Sequence, residues 1–172
     1  MDSYASEQYG FARGIEKALS RHEIAWTRSD LQEVFRSYEI AAELGHVSAM
    51  LRVGYILTKV SSYKRQLDDA ANTMMSQDDI TEINQTIGLC RRVGLDRPLD
   101  GIAWLNRAAE LGSSNALYAL SEVYRLGLGV PADSAMAANL AEQATAAQRA
   151  SEAAREARVE GRAFSASGGI VP

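Results

Sequence analysis

The pentapeptide Ala-Ala-Glu-Leu-Gly stands twice in this 172-residue chain, at 41–45 and at 108–112, and the residues after it match as well. Ala49, Val53, Gly54 and Leu57 align with Ala116, Leu120, Ser121 and Tyr124 at a constant shift of 67 residues. A fixed repeat constrains the fold strongly, because each copy builds the same unit and buries its apolar face against a neighbouring copy. A shift of this length is too long for one helical pair and suits two, so a middle copy is expected. A degenerate one is present: Ile83, Ile87, Gly88 and Gly94 correspond to Ala116, Leu120, Ser121 and Gly127, shifted by 33. The small residues Gly54, Gly88 and Ser121 then fall 34 and 33 apart, and one step back reaches Ser20.

The units are helical. Alanine is abundant, prolines occur only at Pro98, Pro131 and Pro172, and no alternating β-branched runs lie between turn residues. First helices are expected near 5–24, 46–59, 79–93 and 114–126, and second helices near 30–44, 63–76, 98–111 and 133–147. Each second helix carries a small pair (Ala41-Ala42, Ala70-Ala71, Ala108-Ala109, Ala144-Thr145) that permits close crossing, with Phe35, Tyr38, Ile102, Leu105 and Leu140 filling the space beside it. Ser29-Asp30, Asp96 and Asp133 suit helix starts, and Gly45 and Gly112 suit helix stops. The reading is an all-α solenoid of about four antiparallel helix pairs. Residues 1–29 complete a divergent first repeat, 30–147 hold the repeats (degenerate over 60–97), 148–163 form a capping helix and 164–172 a flexible tail.

The segment from Ala108 to Ala138 closely resembles the Sel-like repeat, a relative of the tetratricopeptide repeat, through Ala108, Ala109, Gly112, Ala116, Leu120, Tyr124, Gly127, Gly129, Val130, Pro131, Asp133 and Ala137. Residues 30–59 match less fully, lacking the Gly-x-Gly turn after Leu57. The resemblance implies a right-handed superhelix whose concave face is lined by first helices. It further implies an adaptor or scaffold that binds other proteins, with bacterial secretion, virulence and immunity proteins among similar chains. A cysteine-rich secreted branch of the family is linked to β-lactam hydrolysis, but this chain lacks the paired cysteines of that branch.

Composition narrows the function further. The single Cys90 cannot form an internal disulfide, which suits a reducing cytoplasm, and no run of 18 apolar residues is present to span a membrane. A net charge of −4 gives no basic face for nucleic acid, whereas mild acidity suits an immunity protein that plugs a basic toxin site. His22 and His46 have no metal-like partner at i+3 or i+4. Cys90 reads as a core residue, with Arg91-Arg92 the only feature that would activate its thiol. Asp68-Asp69 and Asp78-Asp79 are adjacent pairs that diverge on a helix, and Asp78-Asp79 after Ser76 reads as a helix start. Gly127-Leu128-Gly129 has no preceding strand and no following Lys-Ser/Thr, so it is not a phosphate loop. With no nucleophile–base set and no cofactor motif, the expected activity is binding.

The expected binding stripe follows from the packing assignment. Once Ala116, Leu120 and Tyr124 are committed to packing, Tyr118, Glu122 and Arg125 remain along the same helix. Repeat offsets add Leu51 and Tyr55 (with Thr58), then Gln85, Leu89 and Arg92, then Lys17 and Arg21. Tyrosine and arginine are over-represented at binding hot spots, so the group is expected to grip a peptide or protein domain. The competing reading is that Leu51 and Leu89 are buried between stacked helices. Self-association through the solenoid ends is also compatible with the amphipathic termini.

Overall fold

The computed structural model describes residues 2–20, 27–70 and 74–167. Seven helices occur among them: α1 (Asp2–Ser20), α2 (Arg28–Glu43), α3 (Val47–Asp68), α4 (Gln77–Arg92), α5 (Pro98–Glu110), α6 (Ser114–Leu126) and α7 (Ser134–Ser167). No strand is present among the described residues, and the helices pack as an all-α solenoid.

The two copies of Ala-Ala-Glu-Leu-Gly make the same turn. Gly45 and Gly112 adopt φ of +95° and +85°, a left-handed conformation that suits glycine and stops the preceding helix. The chain then folds back by equivalent bonds. The His46 amide donates to the Ala41 carbonyl at 3.0 Å, and that of Ser113 to Ala108 at 3.1 Å. The next helix is capped in both places. The Ala49 amide donates to His46 Nδ1 at 3.2 Å, and the Ala116 amide to Ser113 Oγ at 3.3 Å. His46 is therefore a helix cap, and its ring stacks on Tyr9 of α1 with centroids 4.3 Å apart.

Other caps partly shift. Thr27, not Ser29-Asp30, caps α2, with Asp30 as the reciprocal member of its capping box. Ser76 and Asp79 form a second box at the start of α4. Asp133 accepts the Met136 amide at 2.9 Å and so starts α7. Asp96 does not cap α5. Its carboxylate is instead shared by Lys64 at 3.0 Å and Arg91 at 3.1 Å, tying α3 to the end of α4.

The main departure from the expected repeat lies over 60–97. A separate helix was expected over 63–76, but α3 runs unbroken to Asp68. Between Thr58 and Asp68 there is no glycine or proline to stop it, unlike the Gly127-x-Gly129-Val-Pro turn after α6. The lengthened α3 packs against α5, so the close pairs are α1 with α2, α3 with α5, and α6 with α7, while α4 lies on α3. The glycines record this arrangement. A Cβ on Gly101 would stand 2.9 Å from the Gly54 carbonyl oxygen and from Leu57 Cβ, and a Cβ on Gly54 would stand 2.6 Å from Leu105 Cγ. Gly54 thus meets Gly101 at a tight crossing. Gly88, its repeat equivalent on α4, has only the Arg92 guanidinium within 4 Å. The 67-residue shift therefore joins one packed pair to the next, with the α3 extension and α4 between them.

Two apolar cores result. One is built on Tyr38, Met50, Val53, Leu57 and Leu95, and the other on Ile102, Leu105, Leu120 and Val123. Of the small pairs, Ala41, Ala42, Ala108 and Ala144 are buried, Ala70 and Ala109 are half-buried, and Thr145 is exposed. Ala71 lies outside the described residues. In α7 the burial ends after Ala147, and residues 148–159 are exposed as the helix continues toward Ser167. The segment expected as a cap over 148–163 continues α7, with its side chains exposed as far as Val159. The expected tail at 164–172 is helical as far as Ser167.

Candidate functional site

Between α3 and α6 lies a groove of about 190 Å³. On the α3 side the lining runs through Tyr55, Lys59 and Ser62, spaced i, i+4 and i+7, a single helical face. The α6 side supplies Ala119, Glu122, Val123 and Leu126, and Leu105 of α5 and Leu128 form the floor. The floor is apolar because these residues already belong to the second core. At one end Arg65 Nη1 donates to the Leu126 carbonyl at 3.1 Å while its Nε bonds Asp69 at 3.0 Å, so the α3 extension fastens the C-terminus of α6. The Gly-x-Gly turn shapes the same end. Gly127 and Gly129 take φ of +69° and +82°, and a Cβ on Gly129 would collide with the Pro98 ring.

The polar groups at the groove are arranged in pairs. Arg125 Nε donates to Glu122 Oε1 at 2.8 Å, and its Nη2 reaches Oε2, a two-pronged contact that holds the Glu122 carboxyl below its ordinary pKa and the guanidinium above its own. Thr58 directs its hydroxyl inward to the Gly54 carbonyl at 2.9 Å and is buried, so it offers no hydrogen bond at the surface. Tyr55 and Tyr118 are about half exposed, at 47% and 56%. Lys59 lies over the Tyr63 ring, 4.9 Å from its centroid.

The expected stripe is only partly assembled here. Tyr55 and Glu122 share the groove, and Tyr118 and Arg125 lie one helical turn to either side of Glu122 on α6. Leu51 packs against both cores and is half-buried. Gln85, Leu89 and Arg92 are on α4, outside the groove. Leu89 is half-buried, and the Arg92 carbonyl accepts a bond from Arg28 Nη2 at 3.1 Å. Lys17 is exposed on α1, away from the lining, and Arg21 lies outside the described residues, as does His22. Sequence reasoning missed Lys59, Ser62 and Arg65: Ser62 falls in the turn expected between two helices, and Lys59 and Arg65 near the ends of those helices, whereas α3 runs through all three. The signal that could have found them is the absence of any helix breaker across 58–68.

Cys90 is half-buried against the first core. Burial and then the nearby Asp96 charge push its thiol pKa up, so the adjacent arginines do not activate it. Arg91 is turned to Asp96 instead. Among the described residues no three His, Cys, Asp or Glu side chains converge as a metal site, and no helix is long and apolar enough to cross a membrane.

Helices stacked in repeated pairs define an α-helical repeat protein. Comparison with protein families makes this specific: residues 90–113 and 114–148 each match the Sel1 repeat. The second match spans α6 with the start of α7, and the first spans the end of α4 with α5. The chain therefore carries two Sel1 repeats over 90–148. Sel1 repeats generally mediate protein–protein interaction and are typically non-catalytic. No curated protein and no solved structure matched the chain.

Proposed function

We propose that this chain is an adaptor that holds a peptide or a segment of a folded partner in the groove between α3 and α6. The observation that carries the reading is the joining of Tyr55 and Glu122, 67 residues apart, around an apolar floor within two repeat-related helices. A groove of this size admits one or two partner side chains, not a drug-sized ligand, which needs about 300 Å³ or more. Half-exposed tyrosines supply contact area at low entropy cost, and the Glu122–Arg125 pair presents hydrogen-bonding edges already oriented.

The test is affinity capture of the tagged protein from its native lysate, followed by measured affinity for the recovered partner. Tyr55→Ala and Tyr118→Ala are each expected to weaken binding by about 1–3 kcal/mol while leaving the helical content unchanged. A partner that binds both variants as tightly as the parent would remove the groove from the mechanism.

A further inference from the structure

A second groove, of about 310 Å³, lies elsewhere on the stack, lined by Arg97, Asp100, Trp104 and Arg107 with Leu57 beneath. The four polar and aromatic residues follow i, i+3, i+7 and i+10, so they form one stripe along α5. Two guanidiniums are parked on aromatic faces. Arg107 lies 5.5 Å from the Trp104 ring centroid, and Arg97 lies 5.7 Å from that of Phe35 on α2. Such stacking orients a guanidinium without consuming its hydrogen-bond donors.

The two ends of the stripe differ in charge. Arg97 is placed between Glu39 at 3.6 Å and Asp100 at 3.4 Å, so that end holds one cation and two carboxylates. At the other end Arg107 has no carboxylate within ion-pair distance among the described residues. The groove is thus a dipole, net negative near Arg97 and positive at Arg107, with a half-buried indole in the middle. A nucleic-acid backbone, negative along its whole length, does not match it. Along α5 the two ends are about 10–15 Å apart, the span of roughly four extended residues.

We infer that this stripe is a second, directional docking surface for a short peptide segment with an acidic residue at one end, an apolar residue in the middle and a basic residue at the other. The acid forks onto Arg107, the apolar side chain lies on Trp104 above Leu57, and the base faces Glu39 and Asp100. The surface is separate from the α3–α6 groove and does not depend on it. Its charge order fixes the direction in which the segment lies, because the reversed peptide sets like charges against each other at both ends.

The experiment selects a phage-displayed random dodecapeptide library on the immobilised full chain. Selected peptides are labelled with fluorescein and titrated by anisotropy against the parent, Arg107→Glu, and the double variant Tyr55→Ala/Tyr118→Ala. Arg107 is exposed, so its substitution is expected to leave the circular dichroism spectrum unchanged. The expected pool carries an Asp or Glu followed or preceded, within about four residues, by an apolar and then a basic residue. Arg107→Glu is expected to weaken these peptides about tenfold or more, and reselection on that variant to replace the acid with Lys or Arg. The double tyrosine variant is expected to bind them as the parent does. A pool without this charge order, peptides bound equally by Arg107→Glu, peptides lost only in the tyrosine variant, or no enrichment at all would each overturn the assignment.

Discussion

Gly101→Ala probes the α3–α5 crossing, and its effect can be worked out from the geometry. The added Cβ would stand 2.9 Å from the Gly54 carbonyl oxygen, 2.9 Å from Leu57 Cβ and 3.0 Å from Thr58 Cγ2. Carbon atoms prefer about 3.5–4.0 Å, so the new methyl is short of room by roughly half an ångström or more. None of the three obstacles is the far end of a flexible side chain, so α3 itself has to retreat. Overpacking of this kind costs about 1–3 kcal/mol, and the upper part of the range applies because Leu57 and Thr58 are buried. Alanine recovers about 1 kcal/mol through its higher helix propensity, leaving a net loss of about 2 kcal/mol. With a urea m-value of about 2 kcal/mol/M, the unfolding midpoint followed by far-UV circular dichroism should fall by about 1 M. Gly88→Ala is the matched control. It meets only the Arg92 guanidinium at 3.6 Å and is expected to leave the midpoint unchanged or raise it by a few tenths of a molar. A Gly101→Ala midpoint equal to or above that of the parent would refute the tight crossing, and a fall with Gly88→Ala instead would place α4 against α5.

Three further outcomes follow from individual residues. Tyr38 is fully buried and donates its hydroxyl to Glu16 Oε2 at 2.6 Å; burial and then that bond raise the phenol pKa well above its usual value. Tyr38→Phe is therefore expected to lower stability by about 1.5–3 kcal/mol in urea unfolding, the usual worth of a hydrogen bond to a charged group. The Cys90 thiol should react with iodoacetamide at mildly alkaline pH more slowly than the same thiol in urea, and an equal rate in the folded protein would contradict its burial. Burial alone would raise the Asp96 carboxyl, but the bonds from Lys64 and Arg91 hold it below its ordinary pKa, and Arg125 does the same for Glu122. Groups lowered on folding stabilise the protein above their unfolded pKa and lose that effect as pH drops through the folded value. Thermal stability should therefore decline on acidification below about pH 4, and less steeply for Asp96→Asn, a difference readable by melting curves.

The fold class, the turns and much of the core were legible in the chain itself. Ala-Ala-Glu-Leu-Gly encodes its turn within a few residues: a small pair, a glycine that accepts positive φ, and a capping residue that follows. Asp133, and Ser76 with Asp79, announce helix starts by the same short-range chemistry. The surface placement of Tyr118, Glu122 and Arg125 on α6 was legible too, because helical periodicity assigns faces once the packing residues are known. What the chain did not disclose is which helix lies against α5. Gly54 and Gly88 hold equivalent repeat positions, and either could form a close crossing by the local rules. The tertiary structure resolves it through α3, which has no breaker after Thr58, continues to Asp68, and brings Gly54 onto Gly101. That same extension adds Ser62 to the groove beside Lys59, while Gln85, Leu89 and Arg92 on α4 lie outside it. Turns and caps are decided by groups a few bonds apart, whereas a crossing is decided by the fit of two surfaces far apart in sequence, and only the folded chain selects between them.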